Sequence, residues 1–234
     1  MEIKIKSSEE LNILLDNLRD EIIHANILSK LYNELYKSID EYRAEFGQSN
    51  TFWFYSLNSI NNYCMTILCR IYDQHSKSLN LYNLLDTINK NIKYFKADEF
   101  RERLINNPFV DSLSKSTRIP EKKQLEEDIK FASKDNLLVK KLIVWRNNII
   151  AHKSPKILLG KGEILEENAL TSDDLTELLD KCFEIYNRYS SLYRASTASR
   201  QVIGADDYKS VLKFMRLGLQ KYEEDIEREV AKNQ

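Results

Sequence analysis

A shortage of helix-breaking residues is the feature that most constrains this chain. It has 5 glycines and 3 prolines in 234 residues, against average shares of about 7% and about 5%. Because glycine supplies positive-φ turns and proline ends helices, so few of either favours long helices with few turns between them. Five glycines also argue against a Gly-rich phosphate loop or a dinucleotide-binding fingerprint. We therefore expect an all-α protein.

Apolar residues recur at three- and four-residue steps from Leu11 to Phe46. This spacing predicts one long helix, with a possible bend, that ends at Gly47. Residues 51–74 are apolar on most faces, so a second helix here should be central in the bundle. Further helices are expected around residues 81–88, 136–151 and 171–194, and from 206 onward.

These elements predict a helical bundle over residues 1–195, built from long antiparallel helices. Residues 196–234 are expected to form a linker and a charged C-terminal helix that packs on the bundle or extends from it. One segment reads differently, since two apolar runs flank Gly160 and Gly162. We expect a short irregular or hairpin insertion near residues 156–169.

The N-terminal residues lack the apolar region of a secretory signal, and no apolar run reaches the ~18 residues that span a bilayer. Cys64, Cys69 and Cys182 are an odd number and form no CxxC motif. They are expected to be small buried hydrophobic residues in a reducing cytosol. The sequence therefore indicates a cytoplasmic protein without a membrane segment, a metal site or a cofactor.

The formal net charge of −1 hides an uneven distribution. Residues 90–160 carry 16 basic and 9 acidic side chains, a net +7, and the segment on each side carries −4. This middle third has two interpretations. It can consist of ordinary solvated helix faces, or it can form a surface that faces an anion or a nucleic acid.

One short motif lies inside the basic third, where Arg146-Asn147 is followed by His152. Imidazole titrates near neutrality, so it can take a proton from a ribose 2′-hydroxyl or protonate a leaving oxygen. Guanidinium binds phosphate through two hydrogen bonds and stabilises its developing charge. Together these groups suffice for transesterification of RNA without a metal. In the alternative interpretation, Arg146 makes a surface ion pair and His152 caps the helix.

The spacing of this motif raises a geometric problem. Asn148 and His152 lie one helical turn apart, but Arg146 and His152 do not share a face of a regular helix. They can meet only if the helix loosens near His152, or if a second chain supplies the counterpart.

Two stretches together resemble a known family. Arg146-Asn147 with His152, at the end of an apolar helix, is similar to the Arg-x(4–6)-His mark of the HEPN superfamily. The run Cys69–Asp73, followed by Ser78-Leu79, resembles the Abi-U-type, abortive-infection branch. The similarity covers most of residues 10–195. It implies a HEPN-like helical bundle that forms a homodimer, with the two motifs meeting in a composite site at the dimer cleft.

The resemblance also implies roles for single residues. Arg146 would bind the scissile phosphate, Asn147 would orient the site and His152 would act as acid and base. Asn148 and Lys153 are further candidates for contacting the substrate or supporting the motif.

Arg70 and Asp73 are three residues apart on one helical face. We favour an intrahelical ion pair between them, with support of Arg146 or His152 as the alternative. His24 and His75 match no part of the family pattern, so we expect them at surface or capping positions.

Many members of this superfamily are endoribonucleases of toxin–antitoxin or abortive-infection systems. Our leading hypothesis is therefore a metal-independent endoribonuclease that acts on RNA and has a possible antitoxin as partner. The alternative is a non-catalytic HEPN module that binds a nucleotide or a protein. A third reading is a structural helical adaptor in which the motif is accidental.

Overall fold

The computed structural model describes residues 3–150, 154–160 and 163–233. Every regular element in these ranges is helical, which confirms the all-α, HEPN-like fold class. The α-helices are α1 (Ser8–Lys37), α2 (Arg43–Gly47), α3 (Asn50–Ile71), α4 (Leu81–Lys90), α5 (Ala97–Arg103), α6 (Val110–Leu113), α7 (Lys122–Ala132), α8 (Leu137–Trp145), α9 (Pro155–Leu158), α10 (Glu163–Glu167), α11 (Ser172–Arg194) and α12 (Tyr208–Lys232). A 3₁₀ turn spans Ile92–Phe95 and a π-helical turn spans Arg146–Ile150.

The chain forms two compact units, each built from two separate segments. Unit 1 comprises Met1–Asn26 and Met65–Arg200, and unit 2 comprises Ile27–Cys64 and Gln201–Gln234. Helices α1 and α3 contribute residues to both units. The expected division into 1–195 and 196–234 runs along the chain, whereas each of these units is discontinuous.

The sequence predicted one long helix that ends at Gly47, but the structure divides this stretch into two helices, α1 and α2. The Ser7 hydroxyl accepts the backbone N–H of Glu10 (3.3 Å), which satisfies one of the unpaired donors of the first turn. Helix α1 ends at Lys37, and the hydroxyl of Ser38 donates to the carbonyl of Leu35 (2.8 Å). A short turn then leads into α2, which ends at Gly47 as expected.

Unit 1 is organised around buried aromatic and aliphatic side chains, with polar ties between its helices. The Tyr72 hydroxyl at the end of α3 donates to the carbonyl of Leu178 in α11 (2.6 Å). Asp128 of α7 accepts hydrogen bonds from Arg188 and from the Tyr189 hydroxyl of α11. Because buried polar groups are costly when unpaired, these bonds hold the helices in one arrangement.

Unit 2 has a smaller core made by Leu35, Tyr42, Phe46 and Leu212. Its polar tie joins α12 to α2, where Nε of Arg216 donates to Oε1 of Glu45 (2.5 Å). This hydrogen bond holds the pKa of Glu45 below its ordinary value.

Helix α3 is central only over its second half, so the expectation of a fully central helix is wrong for the first half. Ile67, Leu68 and Ile71 are buried, but Phe52 and Tyr55 are 61% and 64% exposed. Apolar content predicted burial because burial normally removes such side chains from water. In the first half of α3, the core of unit 2 takes up only one side of the helix, through Trp53, Leu57 and Ile60.

The insertion after the motif contains no strand in its described residues. It holds the short helices α9 and α10, with Pro155 in the first turn of α9. Proline is favoured in that position because its φ is already helical and the missing N–H would have no partner there. The hairpin expectation is therefore wrong for residues 155–160 and 163–167, and the irregular alternative describes them better. Lys161 and Gly162 lie outside the described residues.

Among the residues that the structure describes, no helix is long and apolar enough to span a bilayer.

Candidate functional site around Arg146

The site is built at the end of α8. The side chain of Asn136 caps this helix by accepting the backbone N–H of Leu138 (2.8 Å). At the other end, Trp145 is tied down because its indole N–H donates to the carbonyl of Asn168 (2.8 Å). The next residue is Arg146, where the backbone changes from α-helical to π-helical bonding. Turns of the π type often occur at functional sites.

Arg146 reaches across to the end of α3 and contacts Asp73. Its Nη1 lies 3.2 Å from Oδ1 of Asp73. The Arg146 side chain is 38% exposed, whereas the Asp73 side chain is 12% exposed. A guanidinium carries five N–H donors. The contact with the carboxylate involves only Nη1, and the side chain remains partly exposed.

Asp73 is itself held by the loop that follows α3. Its Oδ1 accepts the backbone N–H groups of Gln74 (2.8 Å) and His75 (3.3 Å), and its Oδ2 accepts the Ser78 hydroxyl (3.0 Å). A carboxylate with this many donors has few conformations open to it. The position of Arg146 is thus set by a rigid partner.

Gln74 ties the same loop to the end of α7. Its side-chain amide donates to the carbonyl of Ala132 (3.0 Å), and its amide oxygen accepts the backbone N–H of Lys134 (3.1 Å). Sequence patterns indicated no role for Gln74, and Ser78 entered as part of the family resemblance. The available signal was the Asp-x4-Ser pattern at a helix end, where side chains often bond to nearby backbone.

Cys69 lies one turn before Asp73 on α3, and the charge of Arg146 acts on it. Burial raises the pKa of its thiol from the ordinary 9.0 to about 12, and Arg146 opposes that rise only in part. A thiol with so high a pKa is protonated at neutral pH and is a poor nucleophile. Cys69 therefore packs beside the site without supplying chemistry.

The two asparagines of the motif differ in their surroundings. The side-chain amide of Asn148 donates to the backbone carbonyl of Val144 (2.8 Å), and the backbone carbonyl of Asn148 accepts the backbone N–H of Ser154 (3.1 Å). Asn148 thus stabilises the backbone at the turn. Asn147 is exposed beside Arg146.

His152 and Lys153, both expected in the site, lie outside the described residues. The structure accordingly gives the Arg146 half of the motif and its support. Over the part of the chain that is described, no group of three or more His, Cys, Asp or Glu side chains is placed to hold a metal ion.

The contacts described for Arg70 are with Glu21 of α1 and not with Arg146. Its guanidinium binds Glu21 of α1 through two nitrogens at 2.7–3.0 Å, and the Arg70 side chain is 48% exposed. We favoured an ion pair between Arg70 and Asp73, but the structure brings Asp73 to Arg146 and places Arg70 against Glu21 of α1.

A model of the AbiU2 family of HEPN proteins matches residues 8–214. Neither a curated protein nor a solved structure matches the chain. The matched range includes both stretches that carried the resemblance, Cys69–Ser78 and Arg146–His152. Since the match covers most of the sequence and the fold is all-α, this chain belongs to the AbiU2 family of abortive-infection HEPN proteins.

Proposed function

We propose that this protein is a metal-independent endoribonuclease of an abortive-infection or toxin–antitoxin system that acts in the cytoplasm. The observation that carries the proposal is the half-exposed Arg146 on a π-helical turn, held by Asp73. A guanidinium fixed along one edge can bind a phosphate through its other donors. Such preorganised donors lower the barrier because they need no reorientation as charge develops.

The reaction fits the residue types of the motif. The ribose 2′-oxygen attacks the adjacent phosphorus, a bond to the 5′-oxygen breaks, and a 2′,3′-cyclic phosphate and a 5′-hydroxyl result. Arg146 stabilises the charge on the phosphoryl oxygens. His152 takes the 2′-hydroxyl proton or protonates the leaving 5′-oxygen. Asn147 orients the phosphate or the imidazole.

The direct test is cleavage of mixed cellular RNA by the purified protein in the presence of EDTA. Arg146→Ala should slow cleavage roughly 10²–10³-fold, as loss of one such donor does elsewhere. His152→Ala should slow it as severely. Arg19→Ala is the matched control, because Arg19 is a similarly exposed arginine that pairs with Asp16 and Asp20 on α1. Wild-type cleavage by the Arg146 or His152 variant would overturn the site.

We further propose that the site is composite and forms in a homodimer. Two chains related by a two-fold axis would each lend one residue to each site. The Arg146→Ala and His152→Ala variants can be unfolded, mixed in equal amounts and refolded together. About half of the dimers should then contain one chain of each variant, and each such dimer has one intact site out of two. The mixture should therefore regain about a quarter of wild-type activity. No recovery in a mixture of verified dimers would contradict a composite site.

The same experiments separate catalysis from simple binding. Saturable binding of mononucleotides by calorimetry without any RNA cleavage would favour the non-catalytic module instead. An antitoxin partner is expected to suppress cleavage when it is added to the purified protein.

A further inference from the structure

The loop that holds Asp73 also fixes the backbone of an exposed histidine. The carbonyl of His75 accepts four hydrogen bonds, from the Ser78 backbone N–H (3.2 Å), the Ser78 hydroxyl (3.0 Å) and the side-chain amides of Asn80 (3.3 Å) and Asn83 (2.9 Å). Its own N–H donates to Asp73. The backbone that carries this exposed imidazole is thus hydrogen-bonded at both its N–H and its carbonyl.

This histidine belongs to the surroundings of Arg146. The backbone nitrogen of His75 and Nη1 of Arg146 lie 3.3 and 3.2 Å from the same oxygen, Oδ1 of Asp73. The two residues therefore flank one carboxylate. The charge of that carboxylate is balanced by Arg146, and its oxygens also accept the N–H of Gln74 and the hydroxyl of Ser78.

The imidazole has a defined orientation. Its Nδ1 accepts the backbone N–H of Lys77 at 3.3 Å. In the neutral ring an accepting Nδ1 leaves the proton on Nε2. Nε2–H is therefore the free polar end of an exposed side chain, and it is a hydrogen-bond donor. This arrangement suits contact with an anion better than abstraction of a proton.

We propose that the loop Asp73–Ser78 is a second phosphate-binding element of the site, in which His75 donates its Nε2–H to a phosphodiester oxygen of RNA. The exposed ammonium of Lys77 adds positive charge beside it. Arg146 holds one phosphate, and His75 with Lys77 holds the same phosphate or the adjacent one. This inference rests on the proposed function for the identity of the ligand, and it assigns His75 a role in binding.

Two substitutions of His75 separate this role from a structural one. In His75→Gln the side-chain amide nitrogen lies near the position of Nε2, so the donor is kept and the acceptor for Lys77 is lost. In His75→Asn the side-chain oxygen lies near the position of Nδ1, so the acceptor is kept and the outer donor is lost. A merely structural histidine would tolerate asparagine better, whereas a phosphate-binding histidine would tolerate glutamine better.

The measurement is fluorescence anisotropy with a 2′-O-methyl oligoribonucleotide, which binds but cannot be cleaved through its 2′-oxygen. His75→Asn should bind roughly tenfold or more weakly than wild type, because a hydrogen bond to a charged group is lost. His75→Gln should bind within about threefold of wild type. Lys77→Gln should bind more weakly and with a smaller dependence on salt. His24→Asn, an exposed histidine on α1, is the matched control and should not change binding.

The outcomes keep the two proposals apart. Wild-type affinity in His75→Asn, with an unchanged melting temperature, would overturn the inference even if the enzyme cleaves RNA. Weak binding by both His75 variants together with lower melting temperatures would also overturn it, since the histidine would then be structural. If the wild type binds the oligonucleotide through His75 but cleaves no RNA, the endoribonuclease proposal fails and the binding element stands.

Discussion

The two halves of α3 have similar chemistry and opposite surroundings. Residues 50–69 include no Asp, Glu, Lys or Arg, so charge does not distinguish the halves. Phe52, Phe54 and Tyr55 in the first half are 61–64% exposed, whereas Ile67 and Ile71 in the second are 0% and 1% exposed. The second half also leads into the loop that holds Arg146. Burial along this helix was therefore decided by what packs against it, and the loop that holds Asp73 follows its buried end.

The largest effect should come from the buried half. Ile67→Ala removes a fully buried side chain and leaves a cavity, so it should lower the free energy of unfolding by about 2–5 kcal/mol. Urea denaturation followed by circular dichroism measures this loss. A loss below about 1 kcal/mol would mean that this half of α3 is not part of a packed core.

The charged end of the buried half comes next. Asp73→Asn replaces one carboxylate oxygen of Asp73 with an amide nitrogen. That nitrogen cannot accept a hydrogen bond, so a contact with Arg146 or with the loop that follows α3 is lost. The substitution should lower the free energy of unfolding by about 1–3 kcal/mol. It should also lower RNA cleavage roughly 10–100-fold, as loss of an orienting partner does at other sites.

Glu21→Gln is the control for Asp73→Asn. It removes the carboxylate that pairs with Arg70, which lies on α3 three residues before Asp73. Cleavage should be measured well below both melting temperatures, with kcat and KM determined separately. Equal activity of Asp73→Asn and Glu21→Gln would show that RNA cleavage does not depend on the ion pair between Asp73 and Arg146.

The two buried thiols of α3, Cys64 and Cys69, should make the stability of the protein depend on pH. Burial raises the pKa of Cys64 from 9.0 to about 11 and that of Cys69 from 9.0 to about 12. The unfolded chain therefore ionises first, so their contribution to stability is complete below pH 9 and falls as pH rises toward 11 to 12. Each thiol should remove about 1 kcal/mol of stability between pH 9 and pH 10.

Urea titrations at both pH values measure this decline, and Cys69→Ala should make it shallower. The native protein should also resist a thiol reagent such as dithionitrobenzoate at pH 8. Rapid labelling of the native protein would show that the second half of α3 is open to solvent.

The smallest effect should come from the exposed half. Phe52→Ser changes a side chain that is 61% exposed, and surface substitutions usually shift stability by less than about 0.5 kcal/mol. The same urea assay applies. A loss as large as that of Ile67→Ala would mean that Phe52 is covered in solution, and the contrast between the halves would then disappear.

Local signals predicted much of the fold. Thr171 begins α11 with a capping box that includes Asp174, and the helix ends at Arg194, as the sequence indicated. The start of α4 agrees with the expected helix around residues 81–88, but the sequence offers two capping side chains there, of which Asn80 caps the helix and Ser78 binds Asp73. Two serine or asparagine side chains close together are both able to cap a helix, and local sequence does not choose between them.

The site was predicted in its residue types more than in its contacts. Arg146 and Asp73 were both candidates, but an intrahelical pair of Arg70 with Asp73 was favoured because they share a helix face. In the structure Asp73 binds Arg146, which is far away in sequence, and Arg70 binds Glu21. The role proposed for His75 had no local signal at all.

By itself the sequence determined that the chain is helical and where several of its helices begin or end, and it singled out one short motif as a candidate for chemistry. These properties depend on backbone preferences and on neighbours within about one turn. Only the tertiary structure decided which half of α3 is buried and that Asp73 reaches Arg146. Such choices depend on which surfaces and charges meet after distant segments pack. The spacing of residues in the sequence does not specify these contacts. A given side chain can form its hydrogen bonds with any of several partners of the same chemical type, and packing decides which of them is near.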